Sequence, residues 1–199
     1  MRLTLVLLML VLPLLLAGCG TTQPSKFYIL SPVPSGGPAT VTDQGPVVGL
    51  GPVTLPKYLD RPQIVQRSGH NQLLLSESHR WAEPLTNNFI RVLAENLSVS
   101  TPTKQVALYP WNRSTRIDYQ VSVDVMRFDA DTSGDAELSA AWTVRETKSG
   151  EIIFKGRSTL NQPALAPGYA AIAAGQSRLL AAFAREIAGV IRAAAGASD

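Results

Sequence analysis

Thiols, imidazoles and runs of charge are all scarce in this chain, and each scarcity closes a route to function. Among 199 residues Cys19 is the one cysteine, so no disulfide can form within the chain and no thiolate cluster can hold a metal. His70 and His79 are the only histidines, and neither belongs to a His-x-x-x-His pair of the kind that grips zinc. No Gly-x-Ser-x-Gly nucleophile elbow occurs: Gly156-Arg157-Ser158 and Gly175-Gln176-Ser177 both lack the closing glycine. Gly49-Leu50-Gly51 runs on into Pro52, Val53 and Thr54, which breaks the dinucleotide fingerprint, and no ATP-binding loop is present. Asp129, Asp131 and Asp135 lack the distal glutamate of a calcium loop and read as a solvated hairpin tip. The net charge is only +3 and no lysine–arginine run exists, so a phosphate-tracking surface for nucleic acid is not expected. These absences point away from an enzyme and call for no cofactor.

What the chain does have begins at its N-terminus. Arg2 is followed by the apolar run Leu3 to Leu16, broken only by Thr4 and Pro13. That run is roughly two-thirds of a membrane-spanning length, which makes it the core of a signal peptide rather than an anchor helix. It closes on Leu16-Ala17-Gly18-Cys19, which resembles the lipobox of bacterial lipoproteins. The resemblance implies cleavage after residue 18, a diacylglycerol on the Cys19 sulfur and an acyl chain on the new amine. With about 0.8 kcal/mol gained per buried methylene, two or more chains hold a protein stably on a bilayer. Gly20, in place of the aspartate typical of inner-membrane retention, implies the outer membrane, facing the periplasm. Stability there must come from packing.

Residues 19–46 are rich in proline, glycine, serine and threonine and read as a tether or surface strap. Within it Lys26 to Leu30 has the composition of a short strand at a sheet edge. A single domain is expected over 47–195. Its first strand is Val47 to Val53, followed by a hairpin of Gln63–Gln66 and Gln72–Leu75 around Ser68 to Asn71. Pro84 opens a helix whose buried stripe is Leu85, Phe89, Val92, Leu93 and Leu97. Val106 to Tyr109 is another short strand. Tyr119, Val121, Val123 and Val125 then alternate with polar residues, and the apolar parity slips at Met126 and Phe128, predicting a bulge. Ala136 to Arg145 and Ile152 to Leu160 continue the alternation as an antiparallel meander. A long helix over Tyr169–Ala195 buries Ile172, Leu179, Leu180, Phe183, Ile187, Val190 and Ile191. The expected class is α+β: a twisted, mainly antiparallel sheet with two helices on one face.

Three segments are candidates for binding. Arg178, Arg185 and Arg192 recur every heptad, a ridge suited to lipid phosphates or an acidic partner, or simply a solvated face. Leu165 to Tyr169 is an apolar loop that suits either an interface or local core closure. Pro52 to Pro62, with Tyr58, Leu59 and Arg61, could display a recognition edge or carry the chain across the sheet.

Four stretches together resemble the PqiC (YmbA) family of ABC-type transport auxiliary lipoproteins. They are Phe27-Tyr28-Ile29-Leu30, Val48-Gly49-Leu50-Gly51-Pro52-Val53, Tyr58-Leu59-Asp60-Arg61-Pro62-Gln63-Ile64-Val65 and Arg80-Trp81-Ala82-Glu83-Pro84-Leu85. The resemblance covers nearly the whole mature chain. It implies a non-enzymatic outer-membrane partner of MCE-domain (PqiB-like) tunnel proteins, through which lipids move between membranes in support of envelope integrity. It also implies a homo-oligomeric ring at the tunnel's end, and transfers one functional residue, the acylated Cys19. A periplasmic lipid carrier and a structural envelope lipoprotein without transport stay open as alternatives.

Overall fold

The computed structural model describes residues 24–33, 45–101, 105–112 and 114–196. The expected signal peptide, Cys19, Gly20 and most of the proline-rich tether lie outside the described residues. The elements in chain order are β1 (Lys26–Tyr28), β2 (Val48–Thr54), a 3-10 turn (Lys57–Leu59), β3 (Gln63–Ser68), β4 (Gln72–Trp81), α1 (Leu85–Ser100), β5 (Val106–Leu108), β6 (Tyr119–Asp131), β7 (Ala136–Glu146), β8 (Ile152–Gln162) and α2 (Tyr169–Gly196).

The sheet is organised around β6, whose Tyr119, Val121, Val123 and Val125 point into the core while Ser122 and Asp124 point away. Along one edge β6 pairs antiparallel with β7, and β7 with β8, as the alternation predicts. The pairing slips between Val125 and Arg127, so Met126 is the extra residue that re-aims the strand and brings Phe128 inward. The other edge of β6 is shared. Its first half pairs parallel with β2, which carries β5, and its last residues pair parallel with β3. β3 forms the expected hairpin with β4, and β1 adds to β4 in parallel. The sheet is therefore mixed and open: the long ladders are antiparallel, and the joins to β1, β2, β3 and β5 are short. β1 sits at an edge, as expected from Pro32 just beyond it.

Both helices lie on one face. α1 buries Leu85, Phe89, Val92, Leu93 and Leu97, and Phe89 meets Phe128 of β6 edge-on at 5.1 Å. α2 buries Ile172, Leu179, Leu180, Phe183, Ile187 and Ile191. Phe183 packs edge-on against Trp142 at 5.9 Å, and Trp142 stacks on Phe154 at 4.1 Å. The Trp142 indole N–H donates to Ser158 Oγ, which donates to Glu186 of α2, so the large buried ring leaves no polar atom unpaired.

Two expectations are corrected. β6 runs through to Asp131, so Asp129 is not at a solvated hairpin tip but inside the fold with no exposed surface. β4 continues six residues past Leu75 to Trp81; the polar run Ser76 to Arg80 shows no apolar alternation to mark it as strand in the sequence.

Candidate functional surfaces

Asp129 gathers three chain segments. Its Oδ2 accepts from the Tyr58 hydroxyl at 2.8 Å and from Arg67 Nη2 at 2.9 Å, and its Oδ1 accepts from Arg127 Nε at 2.8 Å. The Arg67 guanidinium also lies over the Tyr58 ring at 5.8 Å. Burial, then the bond to Asp129, raises the Tyr58 pKa to about 12, and the bond to Asp129 raises that of Arg67. Every strong acceptor site of the carboxylate is filled, so the cluster fastens the 3-10 turn and β3 onto β6 where their ladder is short. Of the sequence candidates in this region, Tyr58 is half-buried and committed to Asp129, and Leu59 is a core residue. Leu59 is thereby corrected: it offers no surface to a partner. Arg61 is half-buried beside them.

The arginine ridge on α2 does not act as one surface. Arg192 donates to the Ser100 carbonyl at the end of α1, closing an unpaired helix C-terminus. Arg185 is exposed, and Arg178 is half-buried beside the N-terminal segment.

That segment takes the strap form, one of the two the proline-rich stretch allows; what the sequence did not show is its fastening to both helices. After β1, residues Ile29 to Val33 run as a strap along the seam of the two helices, fastened by side chains from both. Asn88 accepts from the Leu30 N–H at 2.7 Å and donates to the Leu30 carbonyl at 3.3 Å. Ser177 Oγ accepts from the Ser31 N–H at 3.1 Å, and Asn96 Oδ1 accepts from the Val33 N–H at 3.2 Å. Leu30 fills the core between these fastenings. Asn88 and Asn96 stand on the apolar face of α1, where an amide without a partner is costly; that misplacement was the available signal. Upstream, the Tyr28 hydroxyl is 2.7 Å from His79 Nδ1, and the His79 ring stacks on Tyr169 at 4.0 Å. His79 thus joins β1, β4 and α2.

Two open hollows flank this framework. One, of about 470 Å³, lies between the strap and α2, with Phe27, Ile29, Pro32, Ala170, Ala174 and Arg178 among its walls. The other, of about 640 Å³, lies on the helix-free face of the sheet, floored by Ala141 and rimmed by Asp124, Lys155 and Arg157. Leu165 of the expected apolar loop is exposed, and the loop is tied to the β6–β7 turn through Ala164 N–H and Asp135.

Residues 28–188 match the family model described as ABC-type transport auxiliary lipoprotein component. The chain belongs to this family. Among curated relatives, the intermembrane transport lipoprotein PqiC of Escherichia coli K12 is 27% identical over 139 residues, covering 69% of this chain and 72% of PqiC. The PqiC of Shigella flexneri matches to the same extent. A DUF330 crystal structure from Xanthomonas campestris superposes with a TM-score of 0.69 at 19% identity, over 87% of this chain and all of that one. The two chains share this mixed-sheet fold. Among the described residues no helix is long and apolar enough to cross a membrane, and no three His, Cys, Asp or Glu side chains are grouped so as to hold a metal ion.

Proposed function

We propose that this chain is the lipid-anchored, non-catalytic subunit of an intermembrane lipid-transport assembly. Acylated at Cys19 and sorted by Gly20, it is held at the outer membrane facing the periplasm, where it docks as a homo-oligomeric ring on the end of an MCE-domain tunnel. The observation that carries this reading is the family match across 28–188, joined to a lipobox-like segment that ends just before the matched region. The physics agrees: exposing a lipid tail to water costs about 0.8 kcal/mol per methylene, so transfer between membranes needs a shielded route with a fitting at each end. A soluble lipid carrier would need an enclosed apolar cavity, whereas the two hollows described above open to solvent.

Crosslinking in intact cells, followed by identification of the attached proteins, tests the proposal. An MCE-domain protein, together with copies of the chain itself, is the expected catch. Capture of envelope proteins without any MCE-domain partner would favour a structural lipoprotein instead.

A further inference from the structure

The strap, β1 and α2 share one exposed apolar face. Phe27 is 64% exposed and Ile29 48%, unusually open for large apolar side chains so close to a fastened strand. They wall the same hollow as Ala170, Ala174 and Arg178, with Lys26 exposed beside them. The face is thus apolar, with cationic side chains and no acidic one among the hollow's walls.

Chain length fixes where this face lies relative to Cys19. Six residues separate Cys19 from Lys26, and the seven Cα–Cα steps between the two reach at most about 25 Å when fully extended. A domain of this size has a radius of gyration of about 15 Å and is therefore nearly 40 Å across. The leash is shorter than the body it holds. Part of its length is also spent crossing the headgroup layer. The edge carrying β1 must therefore rest on the near side of the domain.

We infer that the face formed by Phe27, Ile29, the strap and the first turns of α2 is a bilayer-contact surface: its apolar side chains enter the headgroup–acyl boundary, and Lys26 and Arg178 meet lipid phosphates. This rests on the anchoring of Cys19 proposed above. The face complements the acyl chains, turning a one-point attachment into a fixed orientation, with the opposite side of the domain presented to the periplasm.

The test uses acylated protein extracted from membranes and reconstituted into vesicles of phosphatidylethanolamine and phosphatidylglycerol with brominated acyl chains. Phe27→Cys and, as a control in the β7–β8 turn, Lys148→Cys each carry a bimane label; both positions are exposed, so folding is retained. The label at 27 should be quenched roughly twofold or more beyond the control, as expected for a side chain seated 5–10 Å into the interface. Equal quenching at the two positions on vesicle-bound protein would overturn the inference while leaving the anchor intact. So would a spectral shift at 27 that follows protein concentration and ignores bromine, since that marks contact between copies. Protein that fails to sediment with vesicles would overturn the anchoring itself.

Discussion

Asp129 has no exposed surface, yet it balances two guanidinium groups and a phenol, so removing it leaves the half-buried Arg67 without its carboxylate and Arg127 with Glu137 alone. Breaking a buried pair from one side costs about 3–5 kcal/mol, and Asp129→Ala should lose stability on that scale in chemical denaturation. A loss below about 1 kcal/mol would mean that water reaches the cluster freely. Tyr58 adds a pH signature. Its neutral form is favoured in the fold, so its contribution is complete below pH 10 and fades as pH rises from there through about 12. Tyr58→Phe should abolish that part of the alkaline decline and weaken the fold even at neutral pH. Asp131 acts at the other extreme. The Ser133 hydroxyl holds its carboxyl below the ordinary 3.8, so its contribution is present above that value and is lost only in stronger acid. On the strap, Asn88→Ala leaves the Leu30 peptide group without partners. Amide exchange at Leu30 should then accelerate far more than exchange within the β6–β7 ladder, whereas Asn96→Ala should act chiefly on Val33.

Among the elements, glycine positions separate strain from space. Gly51 has φ +132°, and a Cβ there would stand 2.4 Å from the Tyr109 Cβ, so Gly51→Ala should cost about 3 kcal/mol. Gly69, at φ +69° in the β3–β4 turn with nothing nearby, should cost only about 1 kcal/mol on the same change. Comparable thermal shifts for the two variants would contradict this ranking. The β6–β7–β8 meander and its bulge were legible in the sequence because each strand pairs with its neighbour in the chain and alternation fixes its inward face. Both helices were legible from their stripes. The parallel joins were not, since period-two alternation says which face a strand buries but not which distant strand lies beside it. The end of β6 was misread for a related reason: an acidic stretch with glycine resembles a turn unless the arginines that neutralise it, Arg67 and Arg127, are known to converge there. Leu59 looked like part of a displayed edge because a proline-bounded segment carries no periodicity to mark its buried member. Fold class and family were thus readable, while the polar fastenings between distant segments were not.

At the scale of the whole molecule, the body is a packed α+β domain whose N-terminal strap is bound into the helix seam. Any pull on the N-terminus is therefore transmitted to both helices and, through Tyr28 and His79, to the sheet. Such an arrangement suits a part held by one end against a membrane and loaded by a partner at the other. The proposed membrane role stands on what Cys19 carries. Mass spectrometry of the tryptic peptide Cys19–Lys26 from the membrane fraction tests it most directly. The expected result is Cys19 as the mature N-terminus, with diacylglycerol on its sulfur and an acyl chain on its amine. An unmodified Cys19, or an uncleaved peptide running from Leu3 to Lys26, would contradict it.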